Sequence, residues 1–229
     1  MATQTMQITK EDVQGVTLYK TNVSPISFGR SAKIERKEVK GVPGAFLLKD
    51  VLSKDECKQL IDFTEDLGYT EAPVTTHSGP VMMKDVRDNT RLLLEASPDL
   101  LDTIMERVKN FLPSEAQGRR GAGTLCGLND RFRFYRYEPG QFFAPHYDGS
   151  FGRDDQISFL TFIVYLNDGF KGGHTTFFVN QKEYKVSPKA GTALLFYHGS
   201  SPLSPRHEGS CCEKGNKYAM RSDVMYKLK

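Results

Sequence analysis

The chain has 229 residues, of which 38% are hydrophobic and 26% are charged. These values are typical of one soluble globular domain with a short appended arm, and they exclude collagen-like chains and disulfide miniproteins. The net charge of +3 is too small to favour nucleic acid or an acidic membrane surface as a partner. The longest apolar run, residues 158–166, is far shorter than the roughly 20 residues of a membrane helix.

The N-terminal region is polar and mixed in charge. Residues 1–14 lack the apolar core of a secretory signal, so we expect a cytoplasmic or nuclear protein that is not secreted. We predict an N-terminal arm over residues 1–42, in which residues 30–40 form an exposed arm or edge strand. The structured domain is then expected over residues 43–229.

Two amphipathic helices are predicted in the first half of this domain. Ser53 and Glu56 form a capping-box pattern at the start of one helix. Ser97 begins a second helix, which stops before Pro113. Residues 70–91 between the helices are predicted to be a long irregular loop and are our candidate for a lid over an active site.

The second half of the chain has the composition of β-strands. Runs rich in β-branched and aromatic residues alternate with turns, over residues 158–166, 175–179, 184–186, 192–197 and 217–225. We therefore predict an α+β, mainly β fold: helical support over about 43–127 and a β-sandwich or barrel over about 128–229.

Two groups of arginines have no clear role in the sequence. Arg131, Arg133 and Arg136 alternate with aromatic residues, and we expect them on solvent faces or in ion pairs. Arg87 and Arg91, at the end of the predicted loop, could contact substrate, although surface positions are the favoured interpretation.

A histidine–aspartate motif is the first candidate site. His146 and Asp148 can face one point, because residues two apart on extended chain share a side. A third ligand must come from elsewhere, and His207 is the best candidate among the five histidines. Two histidines and one carboxylate are the ligand set of non-haem Fe(II) oxygenases. The alternative is that each histidine is an ordinary surface or hydrogen-bonded residue.

The last predicted strand places two cations on one face. Lys217, Ala219, Arg221 and Asp223 share a face, and the opposite face is mainly apolar. The cations could face solvent, or they could line a cavity and bind a carboxylate. Periodicity alone does not decide between these two interpretations.

The stretch from Tyr137 to Tyr226 resembles the prolyl 4-hydroxylase-like group of 2-oxoglutarate- and Fe(II)-dependent oxygenases. The matching motifs, in chain order, are Tyr137-x-x-Gly140-Gln141-Phe142-x-x-x-His146-x-Asp148, Thr161-Phe162-Ile163-Val164-Tyr165-Leu166-Asn167, Gly172-Gly173-x-Thr175, Pro188-x-x-Gly191-x-Ala193-Leu194-Leu195-Phe196, His207-x-Gly209 and Gly215-Asn216-Lys217. The resemblance implies a double-stranded β-helix, or jelly-roll, core flanked by N-terminal helices. It also implies that His146, Asp148 and His207 bind iron.

The same resemblance implies a binding pocket for the co-substrate. Lys217, ten residues after His207, would pair with the distal carboxylate of 2-oxoglutarate, and Tyr137 would donate a hydrogen bond to it. Thr161 would form a wall of this pocket. Arg221 could share or take over the role of Lys217, pair with Asp223, or contact the substrate.

The implied activity is that of a dioxygenase that uses Fe(II), 2-oxoglutarate and O2 to hydroxylate an unactivated C–H bond, with release of succinate and CO2. Ascorbate is a candidate reductant. The expected target is a peptidyl, prolyl-type residue. Two alternatives stay open: the same chemistry on a free amino acid or small metabolite, and a catalytically silent metal-binding jelly-roll module. No membrane or nucleic-acid partner is expected, and the oligomeric state is not predicted.

Overall fold

The computed structural model describes residues 5–13, 15–30, 32–76, 79–119 and 121–229. The strands are β1 (Ile8–Val13), β2 (Val16–Thr21), β3 (Glu35–Glu38), β4 (Phe46–Lys49), β5 (Thr70–Glu71), β6 (Val74–Thr76), β7 (Gly79–Val81), β8 (Arg87–Asp88), β9 (Thr90–Glu95), β10 (Glu115–Gly118), β11 (Gly121–Leu128), β12 (Arg131–Tyr137), β13 (Phe142–His146), β14 (Gly152–Arg153), β15 (Gln156–Tyr165), β16 (Lys171–Gly172), β17 (Thr175–Val179), β18 (Lys182–Val186), β19 (Ala193–Tyr197), β20 (Arg206–Gly209), β21 (Cys212–Lys214) and β22 (Lys217–Leu228). The helices are α1 (Lys54–Leu67) and α2 (Pro98–Val108). Across these described ranges, neither helix has the length and apolar character needed to cross a membrane.

Two β-sheets form the body of the domain. Over the described residues, the larger sheet has the order β1-β2-β9-β12-β22-β15-β19-β4-β3, with β5, β10, β11 and β14 paired beside this path. The smaller sheet has the order β18-β17-β20-β13-β8. Strands from distant parts of the chain alternate within both sheets, as in a double-stranded β-helix. The predicted mainly β, jelly-roll core is therefore confirmed.

The two faces of the larger sheet have different chemistry. Phe134 on β12 and Met220 on β22 are register partners, and both belong to the apolar cluster that includes buried residues of α1 and α2. The next pair along the same strands, Tyr135 and Ala219, lines the interior of the barrel. Because side chains alternate across a strand, one sheet packs on the helices and also forms a cavity wall.

The N-terminal region joins the larger sheet. β1 and β2 form a hairpin, and β2 pairs in parallel with β9. β3 is an exposed strand at the sheet edge, which confirms the edge-strand interpretation of residues 30–40. The division of the chain at residue 43 stays a prediction.

Residues 70–91 are not the irregular loop that we expected. They contain the short strands β5, β6, β7 and β8 and the beginning of β9, and β6 pairs with β7 in a hairpin. Strands of two or three residues are too short to show a hydrophobic period. The proline and glycine residues of this segment therefore favoured the prediction of a loop. His77 lies outside the described residues, and the lid role of this segment stays a prediction.

A buried ion pair ties α1 to α2. The Glu56 carboxylate accepts hydrogen bonds of 2.8 Å from both terminal nitrogens of Arg107. It also accepts from the backbone N–H groups of Ser53 and Gly29, which makes it part of the capping box of α1. The two side chains are 7% (Arg107) and 2% (Glu56) exposed, so each depends on the other for its charge compensation.

Replacing Arg107 with Met should lower the free energy of unfolding by about 3 kcal/mol, because the Glu56 charge would be left buried without its partner. Urea titration followed by circular dichroism measures this change. Lys58→Met is the control, since it breaks the exposed pair of Lys58 with Asp62 and should cause no measurable loss. Equal losses in the two variants would contradict the assignment.

Candidate active site

Three side chains that could hold a metal meet where two strands of the smaller sheet pair. His146 ends β13, Asp148 follows two residues later, and His207 lies on β20 as the register partner of His146. One ligand atom of each residue lies within 4.8 Å of the other two. The Asp148 oxygens are 3.5 and 3.6 Å from Nε2 of His146 and His207. The structure thus brings together the three residues that the sequence suggested as a metal site.

Both histidines present the same nitrogen to this point. Nδ1 of His146 is 2.8 Å from the Ala144 carbonyl oxygen, and Nδ1 of His207 is 3.2 Å from that of Pro205. A carbonyl oxygen only accepts, so each Nδ1 carries a proton, and Nε2 is the nitrogen of each ring that faces Asp148 and can bind a metal ion. Burial lowers the pKa of His207 to about 4, although the Asp148 carboxylate opposes this. A neutral imidazole is the form that binds a metal ion.

Asp148 is held ionised by its neighbours. Burial alone would raise its pKa, but Arg221 and His207 hold the pKa well below its usual range. Nη1 of Arg221 lies 3.0 Å from one carboxylate oxygen, and the Thr161 hydroxyl donates to the other at 2.7 Å. Asp148 therefore offers a charged, oriented oxygen beside the two Nε2 atoms.

Thr161 contacts Asp148 and is not among the residues that line the inner cavity, and its role in the co-substrate pocket stays a prediction. Its hydroxyl oxygen is also 2.9 Å from Nδ1 of His198. Nε2 of the fully buried His198 is 2.8 Å from the Ser158 hydroxyl. An ionised carboxylate only accepts, so Thr161 donates to Asp148. Nδ1 of His198 therefore donates to Thr161, and the Ser158 hydroxyl donates to Nε2 of His198. The sequence did not reveal this chain, because its members are neighbours only through strand pairing.

An inner cavity extends from this cluster to Lys217 on β22. Lys217 is 4% exposed, and its Nζ donates a hydrogen bond of 2.7 Å to the Gly173 carbonyl oxygen. The rings of Tyr137 and Tyr165 lie 4.9 and 5.9 Å from Nζ. Burial lowers the pKa of Lys217 to about 8. One carbonyl uses one of three ammonium donors, so this cation keeps the capacity to bind an anion. The cavity-lining interpretation of the last strand is confirmed.

The backbone at Gly173 explains one of the sequence motifs. Gly173 has a φ of 62°, and a Cβ atom there would lie 2.8 Å from the Phe170 ring and 3.1 Å from Cδ of Lys217. A larger residue would be strained by its backbone and would also displace the lysine. The carbonyl that positions Lys217 thus comes from a residue that has to be glycine.

A second, outer cavity of about 380 Å³ also borders His146 and Asp148. Four arginines line it: Arg87, Arg91, Arg133 and Arg221. Arg87 and Arg91 are only 7% and 9% exposed, so the prediction that they lie on the surface is wrong. They are buried because β8 pairs into the smaller sheet and β9 pairs into the larger one.

The ion pairs predicted for the arginines of β12 are present at two positions. Arg133 contacts Asp223 at 3.1 Å, and Arg136 contacts Glu65 at 3.1 Å. The arginines around the outer cavity also act on Tyr135. Burial would raise its pKa, but Arg87, Arg221 and Arg133 lower it to about 8. The potential in this cavity is therefore positive.

Comparison with known proteins agrees with this geometry. Residues 132–222 match the family model of the 2OG-Fe(II) oxygenase superfamily. This match and the relatives described below support a prolyl 4-hydroxylase-like oxygenase. The match implies Fe(II) and 2-oxoglutarate, used with O2, and a dioxygenase activity. Two imidazoles and one carboxylate, with a cavity beside them, are donors that suit Fe(II).

Several relatives and solved structures resemble the chain over most of its length. Probable prolyl 4-hydroxylase 3 of Arabidopsis thaliana is 28% identical, over 86% of this chain and 79% of that protein. Probable prolyl 4-hydroxylase 11 of the same plant is 40% identical, over 73% of this chain and 60% of that protein. The viral collagen prolyl hydroxylase vCPH from Paramecium Bursaria Chlorella virus-1, in its 2OG complex, has a TM-score of 0.57 and 22% identity, over 82% of this chain and 98% of that chain. A Pseudomonas putida prolyl-4-hydroxylase has a TM-score of 0.56 and 20% identity, over 79% of this chain and 92% of that chain. The structural likenesses support the jelly-roll fold.

The position of Thr161 in this oxygenase domain leads to a test. Replacing Thr161 with Val removes the hydroxyl that orients Asp148 and leaves His198 without an acceptor. We expect metal affinity to fall about 10- to 100-fold, measured by titrating the apo-protein with Co(II) and following its visible absorbance. Thr161→Ser keeps the hydroxyl and should stay close to the parent protein. Equal affinity of the Val variant and the parent would show that the hydrogen-bond chain does not support the metal site.

Proposed function

We propose that this oxygenase hydroxylates peptidyl prolyl residues and converts 2-oxoglutarate to succinate and CO2 in the same cycle. The observation that carries the proposal is the inner cavity, which is lined both by the donors His146, Asp148 and His207 and by the Lys217 cation. The prolyl target is supported by the names of the relatives, which are prolyl 4-hydroxylases. It is also supported by a neighbour of the same fold, a Trichoplax adhaerens prolyl hydroxylase in complex with a hypoxia inducible factor peptide.

The metal site has a simple division of roles in this proposal. His146 and His207 bind Fe(II) through Nε2, and Asp148 binds it through a carboxylate oxygen. When bound, Fe(II) together with 2-oxoglutarate and O2 supplies the oxidation of an unactivated C–H bond. The protein orients the three donors through the carbonyls at the two Nδ1 atoms and the hydroxyl of Thr161.

The co-substrate site is at the Lys217 end of the inner cavity. Lys217 binds the distal carboxylate of 2-oxoglutarate, and the buried hydroxyl of Tyr137 donates a hydrogen bond to it. Burial raises the pKa of Tyr137 to about 12, so the phenol keeps its proton and remains a donor. Both residues lie on paired strands, since Tyr137 of β12 is the register partner of Lys217 on β22.

Lys217 is a better anchor for the co-substrate than Arg221. The two terminal nitrogens of Arg221 already contact Asp148 at 3.0 Å and Asp223 at 3.3 Å. Lys217 has a neutral carbonyl as its hydrogen-bond partner instead. We therefore assign Arg221 to the positioning of Asp148. Ascorbate as the reductant and the cytoplasmic or nuclear location stay predictions from the sequence.

An anaerobic titration with Fe(II) and 2-oxoglutarate tests the assignment without knowledge of the substrate. The chelate should give a weak visible charge-transfer band, and His146→Ala should abolish it. Lys217→Ala should keep the band but require about 10- to 100-fold more 2-oxoglutarate, because a charge-assisted hydrogen bond is lost. Arg221→Ala should weaken metal binding more than co-substrate binding. If Arg221→Ala instead showed the larger loss of 2-oxoglutarate affinity, the anchor would be Arg221.

The pKa of Lys217 predicts how co-substrate affinity depends on pH. The lowered value of about 8 means that the free protein loses the Lys217 charge as pH rises through 8, so binding must then restore a proton. We expect the dissociation constant of 2-oxoglutarate to rise about tenfold between pH 7 and 9. Isothermal titration calorimetry of the Mn(II)-loaded protein measures this slope. Lys217→Arg keeps its charge and should show a flat profile; an identical slope in both proteins would contradict the assignment.

A further inference from the structure

The outer cavity carries more positive charge than the described residues compensate. Two carboxylates, Asp148 and Asp223, face its four arginines. Arg221 contacts both of them, and Arg133 contacts Asp223. Four guanidinium groups against two carboxylates leave two positive charges, and Fe(II) at the neighbouring triad would add to them. The sharing of Asp148 and Asp223 by two arginines leaves the other two without a carboxylate.

Arg91 is the arginine that most clearly lacks a partner for its charge. It is 9% exposed, its buried Nε has no hydrogen-bond partner, and no ion pair in the described part of the chain includes it. Its place on β9 puts it opposite Tyr135 of β12, in the sheet face that lines the cavity. Arg87, by contrast, donates from Nε to the Asn89 side chain at 2.7 Å and lies over the rings of Tyr135 and Phe143.

The co-substrate does not account for this deficit. Lys217 lies in the inner cavity, whose lining includes Arg87 and Arg221 but not Arg91 or Arg133. His146 and Asp148 line both cavities, so the outer cavity also borders the metal cluster. An anion beside Arg91 would therefore lie in a cavity that borders two of the metal ligands but not Lys217, which is where a molecule other than the co-substrate can approach.

We propose that the substrate carries a carboxylate close to the carbon that is hydroxylated, and that Arg91, assisted by Arg133, binds this carboxylate in the outer cavity. The inference rests on the proposed oxygenase function and narrows its substrate class. A guanidinium binds a carboxylate through two parallel hydrogen bonds, which orients the group as well as holding it. Two sources offer this chemistry: an Asp or Glu side chain next to the target proline of a peptide, and the α-carboxylate of a free amino acid.

The first arm of the test uses matched peptides. Each peptide contains one proline and a single Glu, which is placed one or two residues before or after the proline. Its control peptide carries Gln in place of that Glu. Affinity for the metal-free protein is measured by fluorescence anisotropy, and hydroxylation by the Fe(II)- and 2-oxoglutarate-loaded protein is measured by mass spectrometry. For at least one register, we expect Glu to exceed Gln by about 10- to 100-fold in affinity and in kcat/KM.

The second arm uses variants of the full chain. Arg91→Met should remove the preference for Glu over Gln, while its unfolding temperature stays the same or rises, because the variant no longer buries an unpaired cation. A purely structural arginine would lower that temperature instead. Arg153→Met is the matched control: Arg153 is half exposed, pairs with Asp130 on the surface and lies outside both cavities, so the preference should persist.

Free amino acids and their amides form the third arm, with succinate release as the readout. If the peptides are inert but a free amino acid stimulates turnover that is lost in its amide and in Arg91→Met, the carboxylate proposal holds and the peptidyl target is wrong. Glu and Gln peptides that behave alike, or a Glu preference that survives Arg91→Met, would overturn the proposal. So would a protein that binds Fe(II) and 2-oxoglutarate but responds to none of these carboxylates.

Discussion

The buried carboxylate of Asp148 is the group on which the rest of the site depends. A carboxylate removed from water stays ionised only when charges and donors surround it. Its partners come from three separate strands: His207 from β20, Thr161 from β15 and Arg221 from β22. These strands belong to both sheets, so the site forms only when the two sheets of the jelly-roll are assembled. The fold and the metal-binding geometry are therefore one constraint.

Strand β22 contributes residues to the helix-side core and to both cavities. One of its faces packs on the helix-side core through Met220 and Val224. The other face presents Lys217 to the inner cavity and Asp223 to the outer cavity, with Arg221 at both. Since residues two apart lie on the same face, a single alternating stretch supplies a cation of the inner cavity, a partner for Asp148 and a carboxylate of the outer cavity.

The parts of the site that the sequence predicted are those encoded by short spacings. His146 and Asp148 are two residues apart, and the alternation of β22 was visible in the sequence although its buried face was not. The hydrogen-bond chain from Ser158 through His198 to Thr161 was invisible, because it depends on the pairing of β15 with β19. The same limit applies to the arginine cavity, since β8 and β9 join different sheets.

In the proposed function, the two cavities use different cations for a physical reason. The co-substrate has one end in the inner cavity and its other end at the metal, so a compact point charge such as Lys217 would be sufficient there. A substrate in the outer cavity has no bond to the metal, and its reacting carbon has to be placed by the protein alone. A planar guanidinium fixes both distance and angle to a carboxylate, and it stays charged at every relevant pH. Arg91 and Arg133 therefore suit a cavity in which, under this proposal, orientation decides which C–H bond reacts.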